Sequence, residues 1–271
     1  MPQRKIIYVT YADGTYEANL KPNAFFARYF LGASETILLT RRDLEATELY
    51  TSNRKVFDAA KGRGYWAWKP WAILQALNQS QSGDIVIYQD CGFGLRYKSF
   101  IRPKKLVGLA LSKGFIAGVR SPQYGPNSKW THRKCIESMG QYDSQYLDTP
   151  TVEAVVSLWP HGAESNAFVR RWLDHCLQFE LISDPSPDAG AQHVNFVEHR
   201  YDQSILTNLV IKEGAYALSV DPSILTYSKS ISMLEIELRS KRNIIFRMTR
   251  DILTRSFNSW HHWKAVFRNS L

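Results

Sequence analysis

The chain has 271 residues, of which 44% are hydrophobic and 13% aromatic, which is enough apolar material for a sizeable core. No window approaches the roughly 20 apolar residues of a membrane-spanning helix. The N-terminal apolar run is too short for a signal peptide, so we expect a cytoplasmic protein. Cys91, Cys135 and Cys176 form neither a disulfide framework nor a zinc pattern and are expected to be buried thiols.

The formal net charge of +9 is unevenly distributed. Residues 241–271 contain seven Lys or Arg side chains and a single acid, Asp251, so +6 of the charge lies in this segment. The remainder of the chain is nearly neutral, whereas a nucleic-acid-binding fold would be expected to present a basic face of its own. We therefore expect no nucleic-acid partner.

Strand and helix patterns alternate along the chain, which predicts an α/β fold with a mostly parallel sheet. Residues 42–60 are polar and are predicted to be helical or irregular, and residues 121–129 and 183–190 are predicted to be loops. Further elements are expected over residues 106–110 and 114–119. Strands are predicted over residues 5–10, 36–40, 85–88 and 152–158. Helices are predicted over residues 23–31, from Pro70 to the break at 82–84, over 166–180 and over 202–209.

The predicted strand at residues 85–88 ends at a carboxylate. Its four apolar residues suit a strand buried on both faces, and Asp90 and Gly92 follow at once. In open α/β sheets, ligands bind outside the carboxyl ends of the strands. Asp90 is thus a candidate ligand of a divalent cation that holds a diphosphate, or else a residue that stabilises a loop through hydrogen bonds.

An aromatic and basic segment, GRGYWAWKPW, precedes this helix and strand at residues 62–71. Aromatic faces can stack on a base or a sugar, and Arg63 and Lys69 can pair with phosphates. For Trp68 and Trp71 we favour simple burial.

Two polar segments lie later in the chain. Residues 198–204 read EHRYDQS, in which Asp202 is either a catalytic carboxylate or a helix cap, and His199 alone is more often structural. Residues 129–134 read KWTHRK, either an anion-binding segment or a solvated helix start capped by Thr131.

The basic segment 241–271 also has an amphipathic pattern. At helical spacing its tryptophans and aliphatic residues fall on one arc, and most of its cations lie opposite. This composition is typical of an interfacial helix on an anionic membrane, and each basic residue near such a surface contributes about 1 kcal/mol. The alternative is a C-terminal helix that packs on the domain.

Taken together, the motifs resemble a group of bacterial glycosyltransferases, with some viral relatives, of capsule, O-antigen and lipopolysaccharide synthesis. The resemblance covers roughly residues 5–215 and does not reach the basic segment. The motifs that carry it are RGYW and WKP within residues 63–70, GDIVIY at 83–88 with Asp90 and Gly92, WT at 130–131, YLDTP at 146–150, and HR with DQS within 199–204.

The resemblance implies a GT-A-like nucleotide-diphospho-sugar transferase fold, with Mn²⁺ or Mg²⁺ held at Asp90. It departs from the Asp-x-Asp motif of many sugar transferases, because residues 90–92 read DCG and contain one acid. The Asp-Gln pair at 202–203 resembles that of some retaining transferases, although both inversion and retention stay open. The implied catalytic residues are Asp202 and Gln203, the donor-binding residues are Thr10, Tyr11, Ala12, Arg63, Trp66, Lys69 and Asp90, and the residues that bind the acceptor or an anion are Trp130, Thr131, His199 and Arg200.

We therefore expect a glycosyltransferase domain at residues 1–220 and a basic, aromatic helical region at 221–271. The expected partners are a nucleotide-sugar donor, a glycan or lipid-linked glycan acceptor, and an anionic membrane surface on the inner face of the membrane. Two alternatives stay open. One is a non-catalytic sugar-binding or scaffold protein. The other is a nucleotidyltransferase, which would usually have a glycine-rich phosphate loop near the N-terminus, and residues 11–15 (YADGT) are a weak substitute for one.

Overall fold

A computed structural model describes residues 4–92, 94–95, 103–187, 190–219 and 227–228. The fold is mixed α/β, with a mostly parallel central sheet flanked by helices, which confirms the predicted class. The basic segment 241–271, including its predicted interfacial helix, lies outside the described residues. Of the region predicted as a separate C-terminal unit, Tyr227–Ser228 is described and pairs with Gly94–Leu95.

The central sheet has the strand order β2-β1-β3-β7. Strand β1 pairs in parallel with β2 and β3, and β7 pairs antiparallel with β3. Short strands form two further small sheets, β6-β5-β8 and β4-β9. The strands are β1 (Ile6–Ala12), β2 (Glu35–Thr40), β3 (Ile85–Gln89), β4 (Gly94–Leu95), β5 (Val119–Arg120), β6 (Val152–Glu153), β7 (Val156–Pro160), β8 (Leu218–Ser219) and β9 (Tyr227–Ser228).

Helices connect and cover these strands. Short 3₁₀ helices occupy Gly14–Asn19 and Pro122–Tyr124. The helices are α1 (Leu20–Phe30), α2 (Arg41–Glu45), α3 (Glu48–Ser52), α4 (Arg54–Phe57), α5 (Gly62–Tyr65), α6 (Trp68–Gln79), α7 (Pro103–Ser112), α8 (Asn127–Trp130), α9 (Arg133–Met139), α10 (Ser144–Leu147), α11 (Ala163–Cys176), α12 (Phe179–Ile182) and α13 (Asp202–Glu213).

The two central strands are buried on both faces, as an apolar run predicts. Alternate residues of β3 enter different cores, so that Val86 packs beneath α6 and α11, whereas Ile87 packs with α1 and α7. The α6 side forms the larger core, to which α13 also contributes. A strand sandwiched between helix layers leaves its carboxyl end as the natural place for a polar site.

Several sequence-based boundaries differ from the structure. The predicted strand 152–158 is two strands, because residues 154–155 form a turn and β7 then runs antiparallel to β3. The predicted loop 121–129 contains a 3₁₀ turn and the start of α8, and residues 114–119 contribute only the start of β5 and a bridge at Ile116. The aromatic segment contains a helical turn, α5, before α6 begins at Trp68.

The predictions of burial are confirmed for the cysteines and for two tryptophans. Cys91, Cys135 and Cys176 are buried thiols. Trp68 and Trp71 lie in the larger core. No helix among the described residues is both long enough and apolar enough to cross a membrane.

Candidate active site

A cleft of about 540 Å³ opens beyond the carboxyl ends of β1 and β3. Residues that follow both strands line it, together with the α5 turn, the start of α6 and the start of α13. This is where an open α/β sheet places its ligands. The lining residues are Tyr11, Ala12, Asp13, Tyr16, Lys61, Gly62, Arg63, Trp66, Trp68, Lys69, Asp90, Cys91, Gly92, Val155, Glu198, Arg200, Tyr201, Asp202 and Gln203.

Strained backbone is concentrated at this cleft. Among the residues that the structure describes, four that are not glycine have positive φ, at Arg63 (49°), Tyr65 (53°), Trp66 (60°) and Tyr201 (53°). Three of them line the cleft, and the ring of Tyr65 stacks on that of Tyr201 at 5.3 Å. Such conformations cost about 1–3 kcal/mol each and cluster where function requires fixed geometry. The strain therefore marks the cleft as the candidate functional site.

An acid–lysine cluster, formed by Lys69, Asp90 and Asp202, lies at the floor of the cleft. The Nζ atom of Lys69 lies 3.1 Å from Oδ2 of Asp90 and 3.4 Å from Oδ2 of Asp202. The hydroxyl of Tyr88 donates to Oδ1 of Asp90 at 2.6 Å. Lys69 and Asp202 are only 5% and 3% exposed. Burying three charges costs several kcal/mol per ion before pairing, so their retention suggests a role other than stability.

Burial sets the protonation of this cluster. Desolvation and the nearby Asp90 carboxylate raise the pKa of Asp202 to about 7, against the opposing effect of Lys69. Burial alone would lower the pKa of Lys69, but the two carboxylates outweigh it and raise that pKa, so the ammonium stays charged. Asp202 is thus a carboxyl group poised to exchange a proton near neutral pH, which is the property of an acid or base catalyst.

The donor set does not fit the divalent cation expected at Asp90. Both oxygens of Asp90 already accept hydrogen bonds, one from Tyr88 and one from Lys69. Within the described part of the chain, no group of three or more His, Cys, Asp or Glu side chains could hold a metal ion. Mn²⁺ and Mg²⁺ require several oxygen ligands, and an ammonium ion already lies between the two carboxylates.

Three cations, the rim cations Lys61, Arg63 and Arg200, surround the opening of the cleft. The side chain of Arg63 is 64% exposed and lies 3.5 Å from Asp13. Arg200 pairs with Glu198 at 2.8 Å, and Lys61 lies over the ring of Tyr201, 5.4 Å from its centroid. Exposed guanidinium and ammonium groups at the opening can meet an anionic ligand such as a diphosphate.

Aromatic rings form one wall of the cleft. The ring of Tyr11 stacks on that of Trp68 with a centroid distance of 4.2 Å, and both residues are buried. Trp66 is half-buried and lies 5.5 Å from the ring of Tyr201. Trp66 and the more exposed Tyr16 both keep accessible ring surface in the cleft, so either can stack on a base or a sugar.

No family model matches the sequence, and no curated protein matches it either. Comparison with solved structures found a mouse protein, xyloside xylosyltransferase 1 in its apo form, at 10% sequence identity. The match covers 80% of this chain and 85% of that chain, with a TM-score of 0.42. At this identity and TM-score the match does not indicate a substrate or a reaction, so these have to be inferred from the site itself.

Most of the residues predicted from sequence meet in the cleft. Asp202, Gln203, Tyr11, Ala12, Arg63, Trp66, Lys69, Asp90 and Arg200 all line it, although they come from four separate parts of the chain. Their roles stay predictions.

Four of the predicted residues lie outside the lining. Thr10 is buried and donates to the backbone oxygen of Gln89 at 2.7 Å, so its hydroxyl joins β1 to β3, and its role in binding the donor stays a prediction. Thr131 is buried and donates to Oδ1 of Asn127. Trp130 does not line the cleft, but Arg200 lies over its ring at 4.5 Å.

His199 is the fourth, and its surroundings are structural. It is fully buried, its Nε2 lies 2.9 Å from the Leu181 oxygen, and its ring packs on His132 at 4.2 Å. The alternative in which Thr131 caps a helix start is wrong, because His132 caps α9 by accepting the Cys135 N–H at its Nδ1. His199 is therefore enclosed and does not line the cleft, and its role in binding the acceptor or an anion stays a prediction.

Sequence reasoning did not assign Tyr16, Lys61, Tyr88, Glu198 or Tyr201 to the site. Tyr201 and Glu198 lie within the motif at 198–204, and their closeness in sequence to Asp202 could have indicated that they belong to the site. Tyr88 resembles any other apolar strand residue, and only the side-chain hydrogen bond to Asp90 reveals it.

Proposed function

We propose that the protein is a GT-A-like glycosyltransferase that moves a sugar from a nucleotide-sugar donor to a glycan or lipid-linked glycan acceptor in surface polysaccharide synthesis. The observation that carries the proposal is the acid–lysine cluster at the floor of a strained cleft whose opening carries cations and aromatic rings. A nucleotide sugar offers matching groups, namely a ring to stack, a diphosphate to pair and a sugar to place near carboxylates.

The rim cations suit the diphosphate. Departure of a nucleoside diphosphate builds negative charge on phosphate oxygens, and positioned Arg and Lys side chains stabilise that charge. Arg63 and Lys61 belong to the same turn, so both can approach one diphosphate. Trp66, in the same turn, then offers its face to the base or the sugar.

Asp202 suits the chemistry at the sugar. In transfer, the bond from the anomeric carbon to the phosphate oxygen breaks and its electron pair leaves with the diphosphate. The acceptor hydroxyl oxygen forms the new bond, and its proton needs a base. The pKa of Asp202 is about 7, so the carboxylate form is available near neutral pH. In that form Asp202 can accept the proton or stabilise positive charge on the sugar. Gln203 lies next to it and also lines the cleft.

The decisive experiment joins donor identification to a matched variant. A thermal-shift screen of nucleotide sugars should give a donor that raises the melting temperature, because a ligand of the native state stabilises it. Transfer and donor hydrolysis with that hit should then be lost in Asp90→Asn. Asp174→Asn is the control, since Asp174 is exposed on α11 and outside the cleft.

The outcomes separate the alternatives. Binding of a sugar without turnover in wild type would favour the non-catalytic sugar-binding protein. Release of pyrophosphate from a nucleoside triphosphate would favour the nucleotidyltransferase. Full turnover in a folded Asp90→Asn variant would remove Asp90 from the mechanism.

Membrane attachment is a separate part of the proposal. The charge and pattern of residues 241–271 support peripheral binding to the inner face of an anionic membrane. Deletion of this segment should release the protein from anionic liposomes while the thermal transition of the rest is retained. Loss of that transition would instead favour the packing alternative.

A further inference from the structure

We propose that Lys69 is the resident cation of the site, and that its ammonium group fills the position between Asp90 and Asp202 that a divalent cation would need. The rim cations would then meet the diphosphate without metal. The role of the rim cations toward a diphosphate rests on the proposed function, whereas the position of Lys69 does not.

Oxygen atoms of Asp90, Asp202 and Ala154 surround the ammonium of Lys69, and both those of Asp90 already accept hydrogen bonds. Oδ2 of Asp90 accepts from its Nζ, and Oδ1 accepts from the hydroxyl of Tyr88. The backbone oxygen of Ala154 lies a further 3.5 Å from the same Nζ. Oδ2 of Asp202 has no hydrogen-bond donor in ideal geometry, although it lies 3.4 Å from Nζ. The ammonium is thus surrounded by the oxygens that a metal ion would coordinate.

Lys69 has no ready alternative position. It is the second residue of α6, a helix that packs on β1 and α11, and its side chain is 6% exposed. A divalent cation that entered beside it would meet a like charge in a poorly solvated place, where repulsion is strong. The ammonium would have to leave, and the buried charge would lose both carboxylates.

The charge of the cluster agrees with this assignment. Two carboxylates and one ammonium carry at most one net negative charge, so the cluster is largely neutralised from within. The next carboxylate in the cleft, Asp13, faces Arg63 instead. A site for Mg²⁺ or Mn²⁺ is normally built from free oxygen ligands, and here the acids are each opposed by a protein cation.

The test uses Mn²⁺ alone, followed by the electron paramagnetic resonance signal of the free ion. Wild-type protein should leave the free-ion signal unchanged at millimolar Mn²⁺. Lys69→Met keeps the length of the side chain but removes its charge. It should remove about one Mn²⁺ per chain from the free-ion signal at a concentration about tenfold below the highest that leaves the wild-type signal unchanged. Lys69→Met combined with Asp90→Asn should lose this gain. Lys69→Gln serves if circular dichroism shows that Lys69→Met is unfolded.

Either of two results would overturn the inference. One is a wild-type protein that binds one Mn²⁺ and loses it in Asp90→Asn, which would restore Asp90 as a metal ligand. The other is a folded Lys69 variant that gains no affinity for Mn²⁺, which would show that Lys69 does not fill a cation position. The first of these results does not depend on whether a Lys69 variant folds. The Mn²⁺ measurement needs neither donor nor acceptor. A failed transfer assay would therefore count against the proposed function and leave the assignment of Lys69 unaffected.

Discussion

The ammonium of Lys69 lies 3.4 Å from the carboxylate of Asp202, although 132 residues separate them in the chain. Both side chains are buried, and both belong to first turns of helices that converge on one cleft. The pair determines the charge that the floor of the cleft presents to a ligand, and the first two predictions depend on it.

Asp202 should control the pH dependence of turnover. Its pKa of about 7 means that the carboxylate form needed in a base becomes dominant as pH rises through neutrality. We expect kcat/KM of wild type to rise through an apparent pKa near 7. Asp202→Asn should lose about 10²–10⁴-fold in rate and that ionisation. A wild-type profile that is flat from pH 5 to 9 would argue against Asp202 as the base, and Asp174→Asn should keep the wild-type profile.

Removal of Lys69 should destabilise the fold, because buried carboxylates then lose the cation that opposes them. Its removal in Lys69→Met leaves Asp90 and Asp202 facing each other without a cation, which costs about 3–5 kcal/mol. Urea unfolding measures this loss. Adding Asp202→Asn should restore part of it, because the second buried charge is then gone. A loss in the double variant equal to the sum of the losses in Lys69→Met and Asp202→Asn would mean that the two residues are not energetically coupled.

Arg63 should affect ligand binding far more than folding. Its side chain is exposed, and its partner Asp13 is 3.5 Å away, so the pair adds little stability. Arg63→Gln should weaken binding of the donor by about tenfold and reduce the salt dependence of that binding. Arg54→Gln is the matched control, since Arg54 is equally exposed and lies outside the cleft. The same loss in both variants would indicate a general charge effect.

The strained α5 turn should tolerate no side chain at Gly64. Its φ is +99°, and an added Cβ would lie 2.9 Å from Cα of Phe57. Gly64→Ala should lower the free energy of unfolding by about 1–3 kcal/mol or more. Gly83 has a φ of +94° but open space around it, so Gly83→Ala should show the cost of backbone strain without that of crowding. Gly108→Ala in α7 meets neither obstacle and should be neutral or stabilising. Chemical unfolding of the three variants checks this order.

The buried His132 should make the fold sensitive to acid. Burial lowers its pKa to about 4, against an ordinary value of 6.5. The unfolded chain therefore binds more protons between these values, so the free energy of unfolding falls as pH drops from 6.5 towards 4. His132→Asn keeps an acceptor for the Cys135 N–H at the start of α9 and removes this titration. We expect the free energy of unfolding of this variant to fall less steeply between pH 6.5 and 4 than that of wild type. An unchanged slope would mean that other groups cause the acid sensitivity.

Local patterns were sufficient for much of the fold. The apolar run at β3, Pro70 in the first turn of α6 and the strand–helix alternation predicted the α/β class, because burial and backbone geometry act within a few residues. The break inside residues 152–158 was missed, since a two-residue turn between buried segments keeps the same apolar composition. Thr131 and His199 were polar residues near a motif, and their enclosure depends on distant packing.

The sequence by itself pointed to Lys69, Asp90, Asp202 and the aromatic segment as candidate site residues, since they stand out by type and by position after a strand or before a helix. Only the tertiary structure decided that the lysine lies between the two carboxylates. That arrangement changes Asp90 from an expected metal ligand into an ion-pair partner. Burial of the cluster raises the pKa of Asp202, against the opposing effect of Lys69. Charge–charge energies depend on separation in space and on burial, and neither quantity is encoded in distance along the chain.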